Sequence, residues 1–379
     1  MTNRELFRRI MHFQTPNRTP LWQVEGITDR ATIRWREEGS LKPDQSPNEL
    51  IRFDGQLVTI PLNDQAPIPG FKEETLKETA NYILYRDVHG STVKAEPGPR
   101  LTPYNYIYVE APLRTLADWK QMEKRFDPYH PERLPAGWLE QKAAELRASA
   151  APVTCAMTWG PARGIKNGFM FGFDRFMEIV VLEPEILQTV FAFWAEYMIT
   201  LLGRVTDALA LDAFVFRDDG MGYKTSTLIG PDTFDRVFKP HMARVTNFLR
   251  SKGVDTIVYY SSGNLEPILP SLLDIGINTI TPVECAAGMQ ALELRRRFPE
   301  LRMIGNISRE ALMQGRAAVE KEVQRKIPPL MAQGGYLPAF DDMLMPDMRL
   351  EDILYCAELV RQVVLELWKD PPRGSSQVD

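Results

Sequence analysis

Small polar and acidic side chains follow several short apolar runs of this sequence, at the points where strands would end. The run "VYYSSGN" ends in Tyr260, Ser262 and Asn264, and "DAFVFRDD" ends in Arg217 and two aspartates. Carboxylates can exchange protons with a substrate, and amides and hydroxyls can orient it by hydrogen bonds. Because the pattern recurs, it predicts one site built from several strand ends. Its candidate residues are Trp22, Glu25, Trp159, Arg217, Asp218, Asp219, Tyr260, Ser262, Asn264, Glu284, Asn306, Asp341 and Asp342.

Three of these acids are candidates for catalysis, and the others for substrate binding. Glu284 closes the apolar run "INTITPV" and would face the end of the sheet. Asp218 and Asp219 are adjacent, and side chains alternate in direction along an extended chain. We therefore expect at most one of the two to point into the site.

Each candidate also has a purely structural interpretation. Asp, Asn and Ser after a strand often accept hydrogen bonds from the free N–H groups of the next helix. Asn264 and Asn306 fit this capping role as well as they fit a site. Trp22 and Trp159 fit a hydrophobic core as well as a stacking surface.

The elements that would position these residues alternate between strands and helices. Six apolar or β-branched runs after residue 150 and two before it predict eight strands: "RTPLWQVEG", "QLVTIPL", "APVTCAMTW", "DAFVFRDD", "DTIVYYSS", "NTITPVE", "LRMIGN" and "GGYLPAF". Between the later runs lie helical patterns at 171–208, 231–252, 265–275, 288–298 and 317–333. This alternation predicts an α/β fold, a (β/α)8 TIM barrel with functional groups at the C-terminal strand ends. A doubly wound open sheet is the alternative, but no G-x-G-x-x-G or P-loop follows any strand.

The region before residue 140 is rich in proline and predicts irregular structure with one hairpin insertion, "NYILYRDVHGSTVKAE". We expect a single domain over 1–368 and a disordered tail at 369–379, where apolar residues are scarce.

Composition restricts the class of protein. The 379 residues are 44% hydrophobic and 25% charged, with a net charge of −5. This balance gives no basic surface for nucleic acid or an anionic membrane, and no apolar run reaches the length of a membrane span. Three scattered cysteines and a charged N-terminal helix without a secretory signal predict a cytoplasmic protein.

Metal-binding motifs are absent from the sequence. Zinc favours grouped His and Cys ligands, and the chain has neither His-x-Cys nor Cys-x-x-Cys. A ring of acids could hold a hard cation. A metal-dependent enzyme using Asp342, Glu284 and Cys285 or His89 therefore remains one alternative.

Four longer motifs carry a resemblance to a known family. They are "GPDTFDRVFKPHMARVTNFLRSKG", "SSGNLEPILPSLLDIGINTITPVECAAGM", "RMIGNIS" and "GGYLPAFDDMLMPDMRLED". In order, spacing and glycine positions they resemble the uroporphyrinogen decarboxylase superfamily, and more closely its methyltransferase-like branch. The resemblance implies a (β/α)8 barrel.

The resemblance also implies two possible chemistries. The decarboxylases hold their substrate's carboxylates with an arginine-rich loop, whose equivalent here is "QVEGITDR" with Glu25. Their aspartate would correspond to Asp54, two residues out of register, and their tyrosine to Thr158. An octacarboxylate would meet Glu25, Asp218, Glu284 and Asp342 here, and like charges at short range repel. Uroporphyrinogen itself is therefore a poor substrate candidate.

The methyltransferase branch moves a methyl group between a corrinoid and a thiol, a folate or a methylated substrate. In thiol-using members zinc is bound at positions that correspond here to Tyr260, Ser262 and Asp342, so zinc is not expected. The sequence favours a zinc-independent methyltransferase that uses a small molecule or a pterin such as tetrahydrofolate. A corrinoid such as methylcobalamin would come free or on a separate protein, since no D-x-H-x-x-G segment is present. The alternatives are a decarboxylase or lyase for another substrate and a non-catalytic corrinoid- or tetrapyrrole-binding barrel; a monomer or homodimer is expected.

Overall fold

A computed structural model describes the chain except residues 15, 58, 103–104, 162–163 and 370–379, and the side chains of 363–369 are also outside it. The helices are α1 (Asn3–Met11), α2 (Asp29–Glu37), α3 (Pro47–Ile51), α4 (Leu116–Met122), α5 (Trp138–Arg147), α6 (Phe173–Leu182), α7 (Pro184–Ala208), α8 (Pro231–Val237), α9 (Lys239–Ser251), α10 (Leu269–Asp274), α11 (Ala291–Arg297), α12 (Arg309–Gln314), α13 (Arg316–Gln333) and α14 (Leu350–Lys369). The strands are β1 (Trp22–Gln23), β2 (Gly55–Gln56), β3 (Glu74–Glu78), β4 (Ile83–Arg86), β5 (Thr92–Ala95), β6 (Tyr106–Glu110), β7 (Thr154–Thr158), β8 (Ala213–Arg217), β9 (Ile257–Tyr260), β10 (Thr279–Thr281), β11 (Arg302–Ile307) and β12 (Tyr336–Phe340). Short 3₁₀ segments occur at Glu123–Arg125, Gly164–Met170, Glu266–Ile268 and Cys285–Ala287.

The chain divides into two compact units. One unit comprises Met1–Gln56 and residues 280–379, and the other is Leu57–Thr279. The predicted single domain over 1–368 stays a prediction. The predicted tail lies outside the described residues except at Lys369, which ends α14.

Parallel strands joined by helices make this an α/β protein, as predicted. In the first unit the strand order is β2-β1-β12-β11-β10, with Trp22 opposite both Gly55 and Ala339. In the second unit the order is β9-β8-β7, and Ile60 forms a parallel bridge with Cys155. Each of the eight predicted segments contains one of these strands or bridges.

The central strands are buried on both faces. All five residues of β7, "TCAMT", and all five of β12, "YLPAF", are buried. Strands covered on both sides read as continuous apolar runs, which is why these segments were recognisable in the sequence. Polar side chains become possible only where such strands end.

The predicted hairpin insertion forms the middle of a separate antiparallel sheet in the second unit. Its strand order is β3-β4-β5-β6, and Ile83 pairs with Ala95. The turn between β4 and β5 is held by Asp87, whose Oδ1 accepts hydrogen bonds from the backbone N–H of His89 at 3.0 Å and of Ser91 at 2.8 Å. His89 lies against Asp87, with its Nδ1 3.4 Å from Oδ2, so it serves the turn.

The helical pattern predicted over 171–208 is divided into α6 and α7. Pro184 is the first residue of α7, a position where its missing N–H costs nothing. Among the described residues, α7 is the one helix long and apolar enough to cross a membrane by length and composition. Eleven of its residues are buried, and α7 packs on α5 and α9, which is typical of a core helix.

Two glycines bring the loops after β8 and β9 into direct backbone contact. The Gly222 N–H donates to Ser261 Oγ at 3.2 Å, and the Asn264 N–H donates to the Tyr223 carbonyl at 2.7 Å. A Cβ on Gly263 would lie 2.3 Å from the carbonyl carbon of Gly222, and Gly263 has φ +83°. No other residue type fits at Gly263.

We expect Gly263→Ala to lower the free energy of unfolding by about 2–4 kcal/mol, because it combines a left-handed backbone with overpacking. Gly253→Ala is the matched control, since Gly253 has φ +79° with no atom within 4 Å of an added Cβ. Urea unfolding followed by circular dichroism measures both. Equal losses in the two variants would contradict the close packing of these loops.

Candidate active site

Asp218 is a fully buried carboxyl group that follows the end of β8. The Tyr259 hydroxyl, from β9, donates a hydrogen bond to its Oδ2 at 2.6 Å. Among the described residues its other oxygen, Oδ1, makes no hydrogen bond of standard geometry, although the Ile165 backbone lies close enough to lower the pKa of the carboxyl. Buried polar atoms are seldom left without such a bond, and each exception calls for an explanation such as a catalytic role or a bound water. Asp218 is therefore the acid of the predicted pair that points inward.

Burial also changes the protonation of this group. Desolvation raises the pKa of Asp218 to about 7; the Asp219 charge adds to this shift, and the Tyr259 hydrogen bond and the Ile165 backbone oppose it. Burial raises the pKa of Asp64 to about 6 in the same unit, and the Thr158 N–H donates to Asp64 Oδ2 at 3.0 Å. A carboxyl with a pKa near neutrality can both give and take a proton at physiological pH.

The segment Gly164–Met170 covers Asp218. A Cβ on Gly164 would lie 3.3 Å from Asp218 Oδ1, so the absence of a side chain allows this approach. Gly168, Phe169 and Met170 have φ values of +53°, +50° and +73°, a left-handed run that is unfavourable for the two larger residues. Phe169 holds the segment in place by packing on Phe191 with ring centroids 4.8 Å apart.

The remaining candidates near Asp218 have identifiable partners. Asp219 is half-buried, with 40% of its side chain exposed, and lies 3.4 Å from the Lys166 ammonium, which places the second acid of the pair outward. The Arg217 guanidinium lies over the Tyr260 ring at 5.5 Å. Asn264 accepts the Glu266 N–H at 2.9 Å through its side chain, so it caps the following 3₁₀ turn.

Two further candidates of this unit differ in exposure. Trp159 is fully buried and stacks on Phe191 at 5.1 Å, in the aromatic cluster that includes Phe169. Ser262 is half-buried, and its carbonyl accepts the Ser261 hydroxyl at 3.1 Å.

In the first unit, Asn306 connects several backbone segments. It is fully buried with φ +72°. Its Nδ2 donates to the carbonyls of Val283 at 2.7 Å and Met289 at 2.8 Å, and its Oδ1 accepts the Ala291 N–H at 3.2 Å. These bonds fix the loop that carries Glu284.

A buried thiol and a buried lysine lie beside Asn306. The Lys326 ammonium is 3.1 Å from Cys285 Sγ and donates to the Asn306 carbonyl at 2.8 Å. Lys326 is ion-paired with Glu322. Burial raises the pKa of Cys285 to about 12, so this thiol stays protonated and is a poor nucleophile.

Asp341 and Asp342, which follow β12, have different partners. Asp341 is buried and accepts the Cys285 N–H and the Arg309 N–H, each at 2.9 Å. Desolvation raises the pKa of Asp341 above its ordinary value, although these two N–H groups oppose the shift. Asp342 is paired with the Arg309 guanidinium and accepts the Met343 N–H at 2.6 Å.

Glu284, Glu25 and Trp22 complete the predicted set. Glu284 and Glu25 are half-buried. Glu284 follows Val283, whose φ of +61° is an outlier for a β-branched residue and marks a constrained loop. Trp22 is fully buried against Phe7 at 5.5 Å, and Gly55 leaves room for its ring.

The donor set at the corresponding zinc positions does not match zinc. A tyrosine, a serine and an arginine-paired carboxylate replace the thiolates and imidazoles that zinc prefers. In the part of the chain that the structure describes, no three His, Cys, Asp or Glu side chains group closely enough to hold a metal ion. Asp54, the counterpart of the decarboxylase aspartate, pairs with Arg18 at 2.6 Å and accepts the Leu21 N–H at 2.9 Å.

The structure adds residues that the sequence reasoning missed. Tyr259 could have been found by alternation, because its neighbour Tyr260 was chosen and the two point to opposite faces. Asp64 follows the run "QLVTIPL" and satisfies the same strand-end rule as the chosen acids. Lys326 lies within a helix, where nothing in the sequence indicates contact with Cys285.

We expect Asn306→Ala to lower the free energy of unfolding by about 3 kcal/mol or more, since it leaves two carbonyls and one N–H unpaired and strains a left-handed backbone. Asn306→Gly removes the same hydrogen bonds without the backbone strain, and should lose about 1–2 kcal/mol less. Guanidinium unfolding measures both variants. A loss below about 1 kcal/mol for Asn306→Ala would contradict the bridging role.

We expect the stability of the protein to depend on pH through Asp218. Its pKa is about 7 in the folded protein and ordinarily 3.8, so folding favours the protonated form. This contribution is fully present below pH 3.8 and is lost as the pH rises through 7. Asp218→Asn, which cannot ionise, should gain stability over the wild type across this interval, by at most about 4 kcal/mol.

Thermal unfolding between pH 4 and 8 measures this difference in stability. Asp219→Asn is the control, because it removes the neighbouring acid and leaves Asp218 able to ionise. Its stability should still fall as the pH rises, with the midpoint moved to lower pH because the Asp219 charge raises the pKa of Asp218. A constant difference between Asp218→Asn and the wild type at every pH would contradict the raised pKa.

Comparisons with known proteins agree with the motifs. A sequence model described as uroporphyrinogen decarboxylase (URO-D) matches residues 100–363. No curated protein sequence matches the chain. Among solved structures, a methyltransferase from Methanosarcina mazei has a TM-score of 0.60 at 15% identity, and the match covers 97% of this chain and 99% of that chain. At this identity the likeness shows a shared fold. Since the matched residues make up more than half of the sequence, the chain belongs to the uroporphyrinogen decarboxylase family.

Proposed function

We propose that the chain is a closed (β/α)8 barrel and a zinc-independent methyltransferase, with Asp218 as its general acid and base. The observation that carries this proposal is a fully buried carboxyl with one oxygen held by the Tyr259 hydroxyl and the other facing the Gly164–Ile165 backbone, with no hydrogen bond of standard geometry among the described residues. The substrates are a corrinoid and a small methylated molecule or a pterin. The solved neighbour from Methanosarcina mazei bears the name methyltransferase, so methyl transfer is one reaction attributed to this fold.

The proton balance of methyl transfer calls for such a group. When a methyl group passes from an uncharged nitrogen or oxygen atom to the acceptor, an electron pair of the acceptor forms the new bond to carbon. The donor atom keeps the electrons of the broken bond and needs a proton. The neutral carboxyl of Asp218 supplies this proton from Oδ1 or Oδ2 and becomes a carboxylate. In the opposite direction the carboxylate removes the proton from the accepting nitrogen. A pKa of about 7 makes both directions accessible near neutral pH.

Tyr259 stabilises the carboxylate that this step creates. Its hydroxyl donates to Oδ2 and lowers the pKa of Asp218, which burial alone would raise further. Burial raises the pKa of Tyr259 itself well above its ordinary value, so the hydroxyl remains a donor. The segment Gly164–Met170 covers Asp218, so it moves when the substrate reaches Oδ1.

The other predicted roles enter the proposal as they were predicted. Glu284 orients or protonates a substrate nitrogen or binds a cationic group, and Arg217, Tyr260 and Ser262 contact the substrate. The corrinoid is a substrate, carried free or by a partner protein. A cytoplasmic monomer or homodimer that binds neither nucleic acid nor membrane remains our expectation.

A decarboxylase or lyase for another substrate is the second candidate. The same neutral carboxyl favours it, because a carbanion left after loss of carbon dioxide also needs a proton. This reaction requires no corrinoid. An assay with and without a corrinoid therefore distinguishes the decarboxylase from the methyltransferase. A binding protein would retain the corrinoid without turning it over.

We expect Asp218→Asn to lower the rate of methyl transfer by about 10²–10⁴-fold, since an amide cannot exchange the proton. The assay follows the spectrum of methylcob(III)alamin, free or protein-bound, with tetrahydrofolate or a simple thiol as the methyl acceptor, and the spectrum of cob(I)alamin with methylated amines as the methyl donors. Tyr259→Phe should shift the pH profile of the rate to higher pH, because the carboxylate loses its hydrogen bond.

Asp219→Asn is the matched control and should retain most of the activity. Turnover that survives in Asp218→Asn would contradict the proposed acid. If no partner changes the corrinoid spectrum and the protein releases carbon dioxide from a carboxylic acid, the decarboxylase is favoured instead.

A further inference from the structure

The second unit contains a cavity of about 710 Å³ beside the antiparallel sheet. Its walls come from β5, β6, the turn before β4 and the segment that covers Asp218. The lining includes the aromatic side chains of Tyr82, Tyr106, Tyr108 and Phe173. Phe173 is 45% exposed, a large value for an aromatic side chain. A cavity of this volume accommodates a small organic molecule.

Asn167 lines the cavity and has an unusual side chain. It is 1% exposed, yet neither Nδ2 nor Oδ1 has a hydrogen-bond partner among the described residues. Leaving both ends of a buried amide unpaired costs free energy, so such a group usually has a ligand or water as its partner. The amide offers one donor and one acceptor side by side. The complementary ligand edge is a lactam, in which an N–H adjoins a C=O.

Two lysines on the cavity wall give it a positive charge. The Lys94 ammonium lies 4.6 Å from the centroid of the Tyr82 ring, and Lys166 lies 3.4 Å from Asp219. The one carboxylate in the lining, Glu96, accepts a hydrogen bond from Asn105 at 2.5 Å. Asp219 offsets the charge of Lys166, so the Lys94 ammonium is the group on the wall that favours an anionic group on the ligand.

We propose that this cavity binds a flat lactam-containing heterocycle with an acidic tail. The tyrosine and phenylalanine rings stack on the heterocycle, the Asn167 amide pairs with its lactam edge, and Lys94 and Lys166 contact the acidic tail. Pterin glutamates and guanine nucleotides both have this chemistry.

The cavity has a physical connection to Asp218. Lys166 and Asn167 belong to the same seven-residue segment as Gly164, which lies against the Asp218 carboxyl. A ligand that pairs with Asn167 therefore contacts the segment that covers the acid. The inference rests on the proposed function at one point: a pterin is one of the two sources named for the ligand.

Isothermal titration calorimetry of the whole chain tests the ligand class without any turnover. Folic acid and guanosine monophosphate are the two probes, and they distinguish a pterin from a purine source. Methotrexate is the control for folic acid, because an amino group replaces the lactam oxygen; it also carries a methyl group on its bridging nitrogen, which lies outside the lactam edge. Pteroic acid lacks the glutamate tail and tests the lysines. We expect one of the two lactam probes to bind. If the ligand is a pterin, methotrexate and pteroic acid should each bind at least tenfold more weakly than folic acid.

Asn167→Leu tests the amide directly. Leucine has the same branching and the same number of side-chain heavy atoms, but its methyl groups are larger than the amide atoms. Removal of an unpaired buried amide is favourable, and overpacking opposes it. We expect this variant to bind the lactam probe at least tenfold more weakly, and Lys94→Met to weaken it severalfold. Lys142→Met changes a half-buried lysine of α5 that pairs with Glu145 and does not line the cavity, and this variant should bind as the wild type does.

Several results would overturn the inference. The first is that neither lactam probe binds. The second is that folic acid binds but methotrexate binds equally well. The third is that a folded Asn167→Leu variant binds the lactam probe as tightly as the wild type. If Asn167→Leu does not fold, Lys94→Met and the probe comparisons in the wild type decide.

The variant Asp218→Asn separates this inference from the proposed function. It should bind the lactam probe with wild-type affinity, because Asp218 is not part of the cavity wall. Binding without any effect of Asp218→Asn on turnover would remove the proposed acid alone. Loss of turnover in Asp218→Asn with no binding of either probe would remove the ligand site alone.

Discussion

The burial of one carboxyl group, Asp218, is the constraint on which the second unit's functional region depends. A carboxyl that ionises in a dry site needs compensation, and here the Tyr259 hydroxyl provides a single hydrogen bond to one oxygen. The other oxygen faces the bare backbone of Gly164. The strained residues that follow Gly164 are held by the aromatic cluster around Phe169. The hydrophobic core thus keeps the Asp218 carboxyl, at the end of β8, out of water.

In the first unit, by contrast, the buried polar groups have most of their hydrogen-bond partners. Asn306 and Asp341 are buried with most of their hydrogen-bonding capacity used by backbone groups. Lys326 has Glu322, a thiol and a carbonyl as partners. Such a satisfied network stabilises loops, including the one that carries Glu284. The contrast between satisfied and unsatisfied polar groups separates supporting residues from the candidate acid.

Much of the fold could be predicted from the sequence, because buried parallel strands such as β7 and β12 are continuous apolar runs. The short strand β2, Gly55–Gln56, is not buried and meets the predicted run "QLVTIPL" only at Gln56. Alternation also predicted that only one of Asp218 and Asp219 would point inward, although not which one. Distinguishing them requires knowing that Lys166 lies near Asp219, and that contact joins residues far apart in the sequence. The same limit applies to Lys326 beside Cys285, and to Asn167, whose unpaired amide is visible only after the surrounding backbone is placed.

The pKa of Asp218 in solution tests the account most directly. Carbon-13 NMR of aspartate carboxyl groups, recorded from pH 3 to 9 in the wild type and in Asp218→Asn, assigns the titration to this residue. The account predicts that the resonance missing from the variant titrates near pH 7 in the wild type. If that resonance titrates near the ordinary aspartate value of about 3.9, Asp218 is ionised at neutral pH and is not the proton donor.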